Sequence, residues 1–374
     1  MNPILPHATL GLLGGGQLGQ MFALAAIAMG YRVAVLDPDP DSPAGRLANL
    51  HLCAGYDDRE ALDQLASVSA AITTEFENVP ADSLRYLAKT VRVSPSADCV
   101  AIAQDRISEK RYLVGQGFPV VPFQVIETEA DLLHASTDYL PGIVKLARLG
   151  YDGKGQIQVH SADDVRAAFS ALGFKPSVLE QRVALKTEVS VVIARTAAGQ
   201  TACYPVAENL HRDGILDVSI VPARVSAHVS RTALDMATRL AEHMDYIGVL
   251  AVEFFVTHDD TLLINEIAPR PHNSGHFTQD ACLASQFQQQ VRTLCGWTPA
   301  DTRLLSPVVM ANLVGEPWFD GSPHLARLLE QPELKLHLYG KREARSGRKM
   351  GHVNILADTT ETALQRLSVL RSPA

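Results

Sequence analysis

The chain has 374 residues, 47% of them hydrophobic and 20% charged, a balance that fits two or three soluble globular domains and excludes a disordered or fibrous protein. A formal net charge of -8, with no run of five or more lysines and arginines, argues against bulk nucleic-acid binding and leaves small anionic ligands open. Five cysteines, at positions 53, 99, 203, 282 and 295, show no Cys-x-x-Cys spacing, so neither a disulfide framework nor a zinc site is signalled and a reducing cytoplasm is the simple reading.

Residues 8–31 carry no charge, yet they contain six glycines and two glutamines and no basic residue precedes them. They read as a buried strand, a turn and a helix rather than a signal or membrane span. Residues 10–13 form the strand, Gly14-Gly15-Gly16-Gln17-Leu18-Gly19 the turn and residues 20–29 the helix. A second strand at 32–36 ends in Asp37, 18 residues after Gly19, which satisfies the G-x-G-x-x-G dinucleotide pattern and taken alone predicts NAD or FAD. Helix amino termini bind any phosphate, however, and a separate nucleotide site is signalled further along, so the turn is assigned to a substrate phosphate. A third strand at 70–74 delivers Glu75 to the carboxyl end of the sheet, where open parallel sheets place ligands. Glu75 is the candidate for ribose hydroxyls, beside the plainer reading that it caps the following helix. The first sheet ends near 91–95, and residues 98–113 read as one helix bearing Asp105, Arg106 and Lys110.

The segment Ile143-Val144-Lys145 precedes Gly150-Tyr151-Asp152-Gly153-Lys154-Gly155-Gln156. Three glycines alternating with a phenol, a carboxylate and an ammonium suit a loop that wraps a triphosphate and excludes water, although the spacing is not that of a P-loop. Residues 161–172 form a helix started by Ser161. Residues 178–183 read as a buried strand leading straight into a polar segment, where an edge backbone with Glu180 can hold an adenine or ribose, and an ordinary edge strand is the plain alternative. Two apolar strands then flank the polar turn at 258–261, and centring that turn on Asp259 and Asp260 sets Glu253 opposite Glu266. Facing carboxylates repel unless a divalent cation lies between them; magnesium fits, with Asn265 as a third oxygen, and two solvated glutamates are the plain alternative. The chain loosens near 296–299, and 306–374 reads as a small closing unit.

Five motifs in this order resemble the ATP-grasp superfamily and, within it, the 5-(carboxyamino)imidazole ribonucleotide synthetase family. They are Gly14 to Gly19, Thr74-Glu75-Phe76-Glu77-Asn78, Gly150 to Gln156, Ala268-Pro269-Arg270-Pro271-His272-Asn273-Ser274-Gly275-His276 and Gly347-Arg348-Lys349-Met350-Gly351-His352. The resemblance covers nearly the whole chain. It implies an α/β ATP-grasp fold with a Rossmann-like pre-ATP-grasp domain at 1–97, an ATP-grasp domain at 98–296 and a small closing domain at 297–374. It implies ATP-dependent carboxylation of aminoimidazole ribonucleotide by bicarbonate in purine biosynthesis, through carboxyphosphate, without biotin. Carried over residue by residue, Arg106, Lys145, Gly150, Tyr151, Asp152, Gly153, Lys154, Gly155, Gln156, Glu180, Gln181, Arg182, Val183, Glu188, His211, Asn265 and Glu266 would contact ATP. Glu253 and Glu266 would hold one or two magnesium ions. Gly15, Gly16, Gln17, Leu18, Glu75, Arg270, His272, Asn273, Ser274, Arg348 and Lys349 would address the ribonucleotide and bicarbonate, with Asp152, Lys154, His272 and Lys349 as the catalytic set. The family often has a second basic residue and a glycine where this chain reads Lys145-Leu146-Ala147-Arg148-Leu149-Gly150, which leaves Arg148 without an implied role. A cytoplasmic homodimer acting on small molecules, with no nucleic-acid or membrane partner, is the remaining implication. The alternatives are a formate-using glycinamide ribonucleotide transformylase, an NAD-dependent dehydrogenase and a nucleotide-sensing module.

Overall fold

In a computed structural model, described over residues 2–134, 137–148, 150, 154–315 and 323–371, the chain is a mixed α/β protein built on three sheets among those residues. The first sheet is five-stranded and wholly parallel, in the spatial order Leu50–Leu52, Arg32–Leu36, Thr9–Leu13, Ala71–Thr74, Arg92–Val93. The strand order reverses at Thr9–Leu13, so the crevice where such sheets bind ligands opens beside the glycine turn, Asp37 and Glu75. The uncharged stretch is explained by packing. Helix Gln17–Ala28 lies between this sheet and helix Gln286–Leu294, burying Met21, Phe22 and Ala26 with Phe287, Val291 and Leu294 in one cluster. A charge on that face would be stranded between two apolar layers.

A four-stranded antiparallel sheet has the order Phe123–Ile126, Ser177–Gln181, Gly142–Leu146, Gln156–Val159. Ser177–Gln181 is therefore an interior strand, buried as its apolar residues suggested but hydrogen-bonded on both sides, so it lacks the free edge backbone expected there. The helix expected over 98–113 is two helices, Ala97–Ala103 and Arg106–Gly115, because the Asp105 carboxylate caps the second by accepting from the Ser108 N–H at 3.0 Å.

The third sheet is nine-stranded and curves from Leu262–Ala268 through Gly248–Thr257, Leu185–Arg195, Ala207–Arg212 and Ile215–Val221 into Val308–Val314, Lys349–Leu356 and Leu334–Leu338, with Thr201–Cys203 beside Leu185–Arg195. The C-terminal strands thus continue the sheet that carries the acid pair, which brings Arg348 and Lys349 over the same cleft. Glu253 pairs with Glu266 as the turn argument required, but by a different route. The turn is one residue tighter, closed by the Thr257 N–H on the Thr261 carbonyl at 3.0 Å, and a bulge at Asn265 restores the pairing. The bulge turns Asn265 and Glu266 toward the same cleft.

Candidate active site

A cleft of about 820 Å³ runs between the three sheets. At one end stand the glycine turn and the C-terminal strands. The glycine N–H groups of the turn are not presented to a phosphate, as expected from sequence, because the protein's own carboxylates have taken those of Gly15, Gly16 and Gly19. Gly15 N–H donates to Asp37 Oδ2 at 2.6 Å and Gly19 N–H to Glu75 Oε2 at 3.1 Å. The glycines at 15 and 16 are required by this close approach: a Cβ on Gly16 would stand 2.1 Å from Glu75 Oε1, and one on Gly15 2.5 Å from Ser42 Oγ. Gly15 and Gly16 therefore lie behind the wall, while Gln17, Leu18 and Glu75 line it. Burial raises the Glu75 carboxyl to about 7, against the opposing pull of the Gly19 and Gly16 N–H groups. Cations face this end from the start of strand Lys349–Leu356 and the segment that precedes it. Arg348 and Lys349 line it, and so does Lys341, which the sequence reading missed. Lys341 Nζ donates to Gln17 Oε1 at 2.5 Å and to the Lys349 carbonyl at 2.8 Å.

Next along the cleft, Arg270 pairs with Glu77, whose backbone carbonyl, with that of Val79, accepts from the Gln104 amide. Gln104 in turn accepts from Arg148 Nη2 at 3.3 Å. Arg148 thus ties the base of the glycine-lysine loop to the segment carrying Glu75 and Glu77, which gives the atypical residue a structural place.

The acid pair sits in the middle. Glu266 Oε2 accepts from Arg106 Nη2 at 3.1 Å, and Glu253 Oε1 lies 2.9 Å from His272 Nε2. Burial pushes the Glu253 carboxyl up, but His272, His211 and Lys349 outweigh it and hold the acid well below the usual range. Ser274, assigned to substrate from sequence, is fully buried behind His272 instead. A buried chain runs from Asn209 Nδ2 to Ser190 Oγ (2.9 Å), to Ser274 Oγ (2.8 Å), to His272 Nδ1 (2.8 Å) and on to Glu253. Every donor meets an acceptor when it runs in that direction, which puts the His272 proton on Nε2. Ser274→Ala is expected to keep the fold and lower the turnover number about 10–100-fold, the usual loss when an orienting partner is removed; an unchanged turnover number would mean that the chain positions nothing. Asn273 lines the cleft, but its amide exchanges two hydrogen bonds with Asn312, at 3.0 and 2.6 Å, so its side chain shapes the wall.

Around the other end, Lys145, Gly150, Lys154, Gln156, Glu188 and His211 line the cleft, while Tyr151, Asp152 and Gly153 fall outside the described residues. Gly155 has φ of +72°, the left-handed region that favours glycine, just before Gln156 pairs with Lys145. Glu188 Oε2 lies 3.1 Å from His211 Nδ1; burial lowers that imidazole, but Glu188 more than offsets it and raises the pKa. The Glu180 carboxylate is not available to an adenine or ribose, because it is buried between Lys145 Nζ at 2.7 Å and Lys110 Nζ at 3.1 Å. The N–H groups of Gln181 and Arg182 are likewise spent, on the carbonyls of Pro122 and Pro141. Gln181, Arg182 and Val183 flank the cleft without lining it. Lys110 and Glu109 were missed as site residues. Glu109 lines the cleft, accepts from the Ile267 N–H at 2.5 Å and is raised by burial to about 8 against the pull of Arg106.

The donor set fits a divalent ion. Two carboxylates come from paired positions on adjacent strands, and Asn265 Oδ1, on the bulge beside Glu266, is buried with no hydrogen-bond partner.

Three domain families match in chain order: a ribonucleotide synthetase preATP-grasp domain at residues 7–104, an ATP-grasp domain at 111–287 and a phosphoribosylaminoimidazole carboxylase C-terminal domain at 308–366. The N5-carboxyaminoimidazole ribonucleotide synthase of Bacillus subtilis is 41% identical over 370 residues, covering 98% of this chain and 96% of that one. The chain belongs to the N5-carboxyaminoimidazole ribonucleotide synthase family. Among solved members of that family, an ADP complex superposes with a TM-score of 0.93 at 43% identity, covering 99% of this chain and 98% of that one. The Aspergillus clavatus N5-carboxyaminoimidazole synthase, in complex with ADP and 5-aminoimidazole ribonucleotide, superposes with a TM-score of 0.89 at 31% identity, covering 98% of each chain. The family's ATP-grasp architecture is the fold observed here.

Proposed function

We propose that this chain uses ATP to carboxylate 5-aminoimidazole ribonucleotide with bicarbonate, giving N5-carboxyaminoimidazole ribonucleotide, ADP and phosphate in purine biosynthesis. The observation that carries the reading is one continuous cleft whose ends are cationic and whose middle holds the acid pair, so that two phosphate-bearing molecules can meet over Glu253 and Glu266.

At the nucleotide end, Lys145, Lys154 and Arg106 hold the phosphates, Glu188 and His211 take the ribose, and the exit of strand Ser177–Gln181 into Gln181, Arg182 and Val183 borders the base. Glu253, Glu266 and Asn265 would hold magnesium, which would supply neutralisation of charge on the transferred phosphoryl group. Bicarbonate oxygen attacks the γ-phosphorus, the bond to the β-phosphate bridging oxygen breaks, and carboxyphosphate and ADP result. The ribonucleotide amine then attacks the carboxyl carbon, directly or after decomposition to carbon dioxide, and phosphate leaves. Lys341, Arg348 and Lys349 bind the ribonucleotide phosphate, and Glu75 accepts from its ribose. Asp152, His272 and Lys349 are the groups assigned to orient bicarbonate and move the amine proton. We further assign the chain to the cytoplasm as a homodimer, divided near residues 97 and 296. No described helix is long and apolar enough to cross a membrane.

The test is magnesium-dependent phosphate release from ATP, with and without aminoimidazole ribonucleotide, in bicarbonate-supplied and bicarbonate-depleted buffer. Release that needs both cosubstrates is expected. Release that ignores bicarbonate and responds to formate with glycinamide ribonucleotide would reassign the chain as a transformylase, and ATP binding without turnover would make it a sensor.

A further inference from the structure

Both acids of the pair are already covered by protein donors. Arg106, 11% exposed, sits on Glu266, and His272, 13% exposed, sits on Glu253. The Glu266 side of this arrangement is unfinished. Arg106 Nη1 is buried with no hydrogen-bond partner, and so is Asn265 Oδ1 on the bulge beside Glu266. The site therefore holds a strong buried donor without an acceptor and, on the bulge, a buried acceptor without a donor, and leaving such groups unpaired is costly.

A divalent ion by itself would satisfy Asn265 and Glu266, but it would displace Arg106 from its hydrogen-bonded acid and leave the guanidinium facing the ion with only the longer-range pull of Glu180 and Glu109. A phosphate by itself would satisfy Arg106 and leave Glu266 facing it as a like charge. Only the two together satisfy every group: the ion on Glu253, Asn265 and Glu266, the guanidinium on phosphate. We infer that Arg106 is a placeholder on the metal ligand Glu266, so that the nucleotide and its divalent ion load as a unit and the free ion alone is rejected. The inference rests on the assignment of Glu253 and Glu266 to the ion. By linkage, the factor by which nucleotide phosphate improves ion affinity is the factor by which the ion improves nucleotide affinity.

The test is binding of Mn2+ to the full-length enzyme without nucleotide, read from the loss of the free-ion paramagnetic resonance signal, with circular dichroism checking the fold. Arg106→Gln is expected to bind Mn2+ at least tenfold more tightly than the wild type. Arg106→Lys keeps a cation over Glu266 and should stay near wild type, which a merely structural loss would not reproduce. Equal affinity in the wild type and Arg106→Gln, or no binding by either, overturns the placeholder. Adding Glu266→Gln to Arg106→Gln tests the underlying assignment separately: Mn2+ binding that survives the second substitution overturns the metal site instead.

Discussion

Glu180→Gln is expected to cost about 3–5 kcal/mol of stability, the loss typical of removing one partner from a buried ion cluster. Lys110 is fully buried and Lys145 is 7% exposed at the side chain, and each has the Glu180 carboxylate as its nearest acid, at 3.1 and 2.7 Å. With a neutral amide in its place, two ammonium groups would share a desolvated space. The midpoint of denaturant unfolding measures the loss, and Glu127→Gln supplies the scale. Glu127 pairs with Arg111 at 3.4 Å with both side chains more than half exposed, so breaking that pair should cost no more than about 1 kcal/mol. Equal effects from the two substitutions would show that burial of the cluster is not what gives it weight. The pH dependence has a definite sign. Burial pushes Glu180 up, but Lys145, Lys110 and Arg106 bring it from 4.5 down to about 2. A depressed carboxyl contributes stability above its unfolded pKa, so this contribution is complete above about 4.5 and is lost as pH falls toward about 2.

That cluster also marks where the sequence stops being legible. Motifs that are local in the chain came through: the strand, turn and helix of residues 9–28, and the hairpin that sets Glu253 against Glu266. The hairpin register was reached through two offsetting differences, a turn one residue tighter and a bulge one residue longer, which no spacing rule distinguishes from a plain hairpin. Contacts made through space did not come through. Lys110 lies in a short charged helix and reads as a solvated lysine, because nothing near it in sequence announces Glu180. Lys341 meets Gln17 from 324 residues away. The signal that was available was compositional: three basic residues, Lys341, Arg342 and Arg345, immediately precede the Arg348-Lys349 motif, and an anionic substrate needs a cluster rather than a pair. Ser274 was misplaced for the opposite reason. It lies within a motif that lines the cleft, but the one-turn helix Asn273–Gly275 points its hydroxyl inward at Ser190.

Glu266→Gln should lower ATP turnover by about 10³-fold or more while leaving the fold intact. The fold is spared because the Glu266 side chain is 41% exposed, and the cation it leaves behind still has other acids: Arg106 also feels Glu180 and Glu109. Catalysis is not spared, because a neutral amide at this position removes half of the anionic charge that a divalent ion needs, and charge stabilisation of that kind is worth several kcal/mol at about 1.4 kcal/mol per factor of ten. The same substitution separates two accounts of the acid pair. If Glu266 served only to neutralise Arg106, the amide would free the guanidinium for phosphate, and ATP binding would tighten with turnover preserved. If Glu266 holds the ion, turnover collapses however well the nucleotide binds. Measuring ATP binding and phosphate release side by side on the same preparation decides between them, and full activity in the variant would remove the acid pair from the mechanism.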